Sequence, residues 1–481
     1  MIDWKETKNL TMLADFYEFT MANGYLQEGL KDKITYFDLY FRNVPDKGGY
    51  VIVAGLEQLV DYIENLHFTK EDIQFFKSKN IFSDAFLNYL ENFKFECDLW
   101  AMPEGSVAFP NEPLIIVRGP AIQSQMIETM ALLSINHQSL IATKAHRISR
   151  SAENKTVMEF GARRAHGPDA ATLGARAAYI GGVVGTSNTL TDRRFGVPAL
   201  GTMAHSWVMM FETELDAFKA YARTYPHDCT LLVDTYNTLK EGIPNAIKTF
   251  DEVLKPLGVR PKGVRIDSGD LAYLSKESRK MLDKAGYEDC AIVASGGLDE
   301  YTISDLTLQG AKLDSYGVGE RLITAKSNPV FGGVYKLTAV EEKGKIIPKI
   351  KISDNVEKIT TPGFKTVYRI YDKDSNKANA DLICLHDEKF DEKKPLEIFH
   401  PLFTWKRKTY TNYYLKELLI PIYEKGNRVY ELPSLEEIKD YRRQEVRTLW
   451  EEVKRFDNPH LYFVDLSEKL WNIKDDLLQK H

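Results

Sequence analysis

The sequence predicts an α/β protein: a parallel α/β barrel with one or two extra lobes. Three observations lead there. The chain has 481 residues, more than the roughly 250 that a large α/β barrel fills alone. Seven short apolar segments recur between 156 and 318, with helical stretches between several of them. Beyond about 330 this alternation gives way to hairpin signals.

The opening segment, 1–125, reads as a mixed α+β lobe. An amphipathic helix fits around 16–21, and ITYFDLYFR (34–42) has strand character before the turn NVPDKGG. Residues 51–66 fit a helix, with Ile52, Leu56, Leu59, Ile63 and Leu66 on one face. Short proline-broken strands follow at 106–118. A long helix spans 122–149, its buried face formed by Met126, Met130, Leu133, His137, Leu140 and Ile141. His137 reads there as a core residue.

The barrel segment is 126–330. Its candidate strands are 156–160, 182–185, 199–203, 231–233, 263–266, 291–294 and 313–318. Helices fit 243–257, 271–285 and 299–308. Strand, helix, strand at this pitch means parallel βα units. Seven strands suggest a closed barrel with one strand unplaced; an open sheet is the alternative. After it, 334–370 reads as hairpins and HDEKFDEKKP (386–395) as a solvated charged loop. Residues 371–481 form a partly helical extension. Its helix, 434–456, opens on a capping-box pattern of Ser434 and Glu437.

Composition narrows the partners. Hydrophobic residues make up 43%, charged residues 27%, and the net charge is −6. Neither nucleic acid nor an anionic membrane is implied. Cys97, Cys229, Cys290 and Cys384 are dispersed, without a Cys-x-x-Cys pair, which disfavours a disulfide framework or a zinc site. The N-terminus lacks the apolar run of a signal peptide, and no stretch approaches the ~20 apolar residues of a membrane span. The expected setting is cytoplasmic.

Active-site residues of parallel barrels sit past the C-terminal ends of strands. Here those positions read EFGARR (159–164), GTSN (185–188), HS (205–206), DTYN (234–237), RIDSGD (265–270), SGG (295–297) and GVGER (317–321). Arginines, carboxylates, one histidine and two glycine-rich turns share one rim. Gly296, Gly297, Gly317 and Gly319 would let backbone N–H groups approach a phosphate. A helix beginning near Asp299 would add its dipole. Arg163, Arg164, Arg265 and Arg321 supply anion recognition. Asp267 and Asp270 suit ribose hydroxyls or the water shell of Mg²⁺. His205, with Asp234 after the next strand, is the candidate catalytic histidine. No GxxxxGK[ST] and no GxGxxG opening a helix occur, which excludes a P-loop and disfavours a dinucleotide fold.

EFGARRAHGPDA, GTMAHS, RIDSGDL, SGGLDE and YGVGERLITAKSNPVFGGVYKL, with MLADFYEFTMANGY near the N-terminus, resemble the nicotinate phosphoribosyltransferases. The resemblance covers about residues 10–370. It implies an irregular α/β barrel with an α+β domain formed from N- and C-terminal segments, so that 330–370 would complete the first lobe. It implies transfer of ribose 5-phosphate from phosphoribosyl pyrophosphate to nicotinate, with Mg²⁺, with ATP coupled through a phosphohistidine, and in a homodimer with shared active sites. On this resemblance His205 accepts the phosphoryl group and Asp234 orients it. Phe160 stacks under the pyridine ring and a partner subunit's Tyr17 covers it. Arg163 and Ser187 meet a carboxylate or phosphate. Arg265 and Asp267 serve the ribose and phosphate region, and the four glycines the 5′-phosphate. Glu320 departs from the family's usual Thr and would repel a phosphate unless it points away. The nearest alternative is a nicotinamide phosphoribosyltransferase, which places Asp where Ser187 stands. A quinolinate-type transferase, a lyase or a non-catalytic binding protein are the others.

Overall fold

The computed structural model describes residues 9–480. Residues 1–8, which open the 1–125 segment, and His481 lie outside it. The chain forms two compact units: 141–329, and the two ends, 1–140 with 330–481. The division falls inside the helix Glu128–Ser151, not at 125/126.

The described residues of the two-ended unit form two large sheets and one two-stranded sheet, Val51–Ile52 with Val107–Ala108. In the first, seven strands run in the order Lys345–Pro348, Gly333–Glu342, Ile34–Phe41, Ile115–Pro120, Asp98–Ala101, Ile420–Glu424, Asn427–Arg428. Every pairing is antiparallel. The second has six strands: Arg407–Tyr410, Leu396–Phe399, Phe463–Leu466, Ala378–Leu385, Lys365–Asp372, Tyr413–Glu417. Residues 371–481 therefore carry most of a sheet beside their helices Leu435–Thr448 and Glu468–Gln479. The capping box at Ser434 is formed.

Some local readings shift. The helix expected over 51–66 starts at Leu56, because Val51–Ile52 pair with Val107–Ala108. Gly55 before it has φ +107, and a Cβ there would lie 2.2 Å from the Ser134 carbonyl oxygen. Leu133, expected in the core, is 48% exposed, and His137 is half-buried. In the charged loop Glu388 is buried, accepting from the Leu385 N–H and the Ser467 hydroxyl.

Unit 141–329 is the parallel α/β unit. Thr156–Glu159, Ser315–Val318, Ala291–Ser295, Gly263–Ile266 and Thr230–Leu232 pair in that order, all parallel. Single parallel bridges at Thr186 and then Ala199 extend the sheet beyond Thr156–Glu159. All seven expected strand positions are thus in one sheet, two of them reduced to bridges. The 182–185 segment is shortened because the helix Pro168–Gly181 runs up to it. Val264, Ile266, Ile292, Ala294, Tyr316 and Val318 are fully buried in this sheet. No backbone pairing among the described residues joins the Ala199 edge to Thr230–Leu232. By backbone pairing the sheet is therefore open, the alternative to the closed barrel.

Candidate active site

Asp234 and Asp267 follow strand ends, where the backbone leaves the ladder, whereas Arg265 lies within the strand Gly263–Ile266. Arg265 donates to the Thr202 hydroxyl at 2.6 Å and the Met203 carbonyl at 2.9 Å. Its Nε is buried without a partner. Burial lowers the guanidinium's pKa, opposed by the nearby Asp267 and Asp234; arginine still stays charged.

His205 begins the helix His205–Met209. Its Nδ1 lies 3.1 Å from the Thr235 hydroxyl. Thr235, one residue past Asp234, is thus the hydrogen-bond partner of this ring nitrogen. Asp234 turns to the next loop, where Oδ2 accepts the Asp267 N–H at 3.1 Å and the Ser268 hydroxyl at 2.6 Å. Its Oδ1 is buried and unpartnered. Asp267 in turn accepts the Ser295 hydroxyl. Asp270, considered for ribose or Mg²⁺, caps the helix Leu271–Lys284 through the Tyr273 N–H.

The SGG turn carries two left-handed residues, Gly296 at φ +91 and Gly297 at φ +64. A Cβ on Gly296 would lie 2.1 Å from the Asp267 carbonyl oxygen, whereas Gly297 faces open space. Neither N–H donates to a backbone carbonyl among the described residues. The helix Glu300–Leu308 follows, capped by Asp299. Arg321 pairs with Asp299, and Lys144 and Arg147 pair with the fully buried Glu300. Those cations fix the start of this helix.

Gly317 and Gly319 are placed differently from the expectation. A Cβ on Gly317 would meet the Phe160 ring at 2.4 Å, and one on Gly319 the Phe160 carbonyl oxygen at 3.2 Å. These glycines seat Phe160 against the sheet. Arg163 is exposed and makes no hydrogen bond or ion pair among the described residues, so it is available to a ligand. Ser187 is exposed, its N–H donating to the Glu159 carbonyl at 2.8 Å. Glu320 pairs with Lys326 at 2.7 Å and lies 3.9 Å from Arg164; the Lys326 contact lowers its pKa. Its charge is answered locally.

Tyr17 belongs to the two-ended unit, in the helix Phe16–Gln27, and is 43% exposed. Burial and the neighbouring Glu128 raise its phenol pKa. Two residues escaped the sequence reading: Thr235, and Glu159, a fully buried carboxylate inside EFGARR. Burial raises the Glu159 pKa, while the Thr186 hydroxyl and the Gly161 N–H oppose the shift.

Comparison with known proteins decides the family. Sequence models described as the nicotinate phosphoribosyltransferase N-terminal domain, family and C-terminal domain match residues 12–136, 156–390 and 364–474. The nicotinate phosphoribosyltransferase of Bacillus subtilis (strain 168) is 46% identical, with 97% of this chain and 94% of the relative aligned. This chain belongs to the nicotinate phosphoribosyltransferase family. That of Dictyostelium discoideum is 36% identical over 97% of this chain and 88% of its own. The crystal structure of human nicotinic acid phosphoribosyltransferase superposes with a TM-score of 0.84 at 29% identity, covering 97% of this chain and 100% of that one. The structure of a Pyrococcus furiosus nicotinate-nucleotide pyrophosphorylase shares the fold, with a TM-score of 0.70 at 24% identity over 93% and 97% of the two chains. No helix among the described residues is long and apolar enough to cross a membrane.

Proposed function

We propose that this protein is a nicotinate phosphoribosyltransferase of NAD biosynthesis, working in the cytoplasm. It would join nicotinate to the ribose of phosphoribosyl pyrophosphate, releasing pyrophosphate. The observation that carries the reading is the pair of unpaired buried groups at the strand ends of the parallel sheet, Asp234 Oδ1 and Arg265 Nε. Buried polar atoms are almost always satisfied. Two orphans of opposite character, in a relative of nicotinate phosphoribosyltransferases, suit a ligand with both hydroxyls and phosphates.

Gly296 and Gly297, with the helix start at Asp299, suit the 5′-phosphate. Phe160 offers a face to the flat pyridine ring, with Arg163 and Ser187 at its carboxylate. Ser187 carries no charge to repel an acid, which favours nicotinate over nicotinamide. The ring nitrogen attacks the ribose carbon, the bond to pyrophosphate breaks, and no protein base is needed. Held geometry and fixed charge do the work. Two carboxylates, Asp234 and Asp267, fit Mg²⁺, which binds through one or two carboxylates plus substrate phosphates. No cage of three or more His, Cys, Asp or Glu occurs among the described residues, so the pyrophosphate would complete the shell. Bound Mg²⁺ would neutralise charge on the leaving group.

ATP coupling would act through His205. With Nδ1–H donating to Thr235, Nε2 is free to attack the γ-phosphorus of ATP. The bond to ADP breaks, and water later releases phosphate from the ring. The homodimer would bring a partner subunit's Tyr17 over nicotinate. The deciding experiment is a nicotinate assay with phosphoribosyl pyrophosphate, with and without ATP, beside a nicotinamide control. Nicotinate mononucleotide formed faster with ATP is the expected result; turnover of nicotinamide alone overturns the reading. His205→Ala should keep a weak, ATP-independent synthesis and lose ATP hydrolysis. Mixing Tyr17→Ala with His205→Ala should restore activity if sites are shared; no recovery in demonstrably exchanging subunits rejects sharing.

A further inference from the structure

We propose that Glu159 is a positioning residue for the acceptor ring: its buried carboxylate sets Phe160 and Ser187 at a fixed separation. This rests on the reading of those two residues given above. Glu159 is fully buried. One carboxylate oxygen accepts the N–H of Gly161, the residue after Phe160. The other accepts the hydroxyl of Thr186, the residue before Ser187, at 2.6 Å. The backbone of Glu159 adds to the same tie, since its carbonyl accepts the Ser187 N–H at 2.8 Å and its N–H donates to the Gly185 carbonyl at 2.9 Å. A single side chain thus joins the EFGARR turn to the GTSN turn.

The residue type follows from the partners. The Thr186 oxygen already accepts the Asn188 N–H at 3.1 Å, and Asn188 caps the helix Thr189–Phe195. The Thr186 hydroxyl proton is therefore directed at Glu159. Gly161 also donates, so the group between the turns must accept twice, as an ionised carboxylate does. A glutamine would set an NH₂ against one donor. Burying a carboxylate is costly unless it is well hydrogen-bonded, and Glu159 meets that condition with a donor from each turn. Holding the ring-stacking face and the carboxylate-facing hydroxyl at one spacing is a task that loose packing would fail.

The test is steady-state kinetics of the full-length protein with both substrates varied, beside thermal denaturation. Losing one charge-assisted hydrogen bond predicts a rise of about tenfold in the KM for nicotinate in Glu159→Gln and Thr186→Val, and about a hundredfold in Glu159→Ala. The KM for phosphoribosyl pyrophosphate should stay within about twofold in each, as its groups are not tied to these turns. Glutamine should be milder than alanine because it keeps one acceptor. If Glu159→Ala does not fold, the other two variants carry the test. Both KM values rising together, or an unchanged nicotinate KM in folded Glu159→Gln, overturns the proposal. A wild-type protein that does not use nicotinate would instead overturn the functional reading beneath it.

Discussion

Arg369 and Arg265 are both largely buried arginines among carboxylates, and they are finished differently. Arg369, in the two-ended unit, grips Asp381 with Nε and Nη2, Glu445 with Nη1, and the Val107 carbonyl with Nη2. Lys416 also binds Glu445, and Phe109 and Tyr462 stack beside the guanidinium. Burial and the Asp381 carboxylate push the neighbouring Glu112 well up, and its Oε1 is buried without a hydrogen-bond partner. Two cations meet two anions. Arg265, in the parallel unit, binds only neutral oxygens of Thr202 and Met203 and leaves Nε bare. Asp234 nearby leaves Oδ1 bare. Every donor nitrogen of Arg369 meets an acceptor in its network, whereas Arg265 keeps a donor free for a ligand.

The largest expected effect tests the closed network. Arg369→Ala would leave Asp381 buried without a cation and Glu445 with Lys416 alone, costing about 3–5 kcal/mol. Thermal and urea unfolding should show a much less stable protein, or none that folds. A variant with near-normal stability would break the comparison on its structural side.

Asp234→Asn is the counterpart. The amide keeps the shape and an oxygen for the Asp267 N–H. Expected is a fall in kcat/KM of about 100-fold, near 2.7 kcal/mol, with melting temperature unchanged or raised. An active but unstable variant would mean that Asp234 serves the fold, like Arg369.

Legibility in the sequence followed the same division. The parallel strands stood out because apolar runs and strand-end residues recur at short range, and all seven positions are occupied. The six-stranded sheet of 365–466 was missed: its strands are short and separated by charged turns, and its register comes from distant partners such as Ala378–Leu385 with Phe463–Leu466. At the site, residue identity was readable but bonding was not. Nothing local says that Thr235 rather than Asp234 meets His205, or that Gly317 packs against the Phe160 ring. Those facts depend on which strands end side by side.

Gly317→Ala sharpens the ring end of the site. Its methyl group would collide with the Phe160 ring, 2.4 Å away. A tilted ring should raise the KM for nicotinate about tenfold, near 1.4 kcal/mol. If the KM for phosphoribosyl pyrophosphate rises instead, Gly317 belongs to the phosphate site after all.

The smallest effect concerns an apparent exception. Glu18, fully buried in the two-ended unit, also has a bare oxygen, Oε2. Its Oε1 accepts from the Thr129 hydroxyl and N–H. If bareness alone marked a ligand site, Glu18 would be one. Burial, with the nearby carboxylate of Glu128, lifts its pKa from 4.5 to about 7. The bare oxygen is then where a proton sits. Because the folded-state pKa is raised, the protonated carboxyl's contribution is fully present below the unfolded value of 4.5 and is lost as pH rises through about 7. Between about pH 6 and pH 8 the native protein should lose about 1 kcal/mol more stability than Glu18→Gln, whose amide cannot titrate. The slopes of stability against pH decide the matter, since the amide adds its own constant offset. Parallel slopes would show that Glu18 is ionised throughout, and its unpaired oxygen would then need a partner other than a proton.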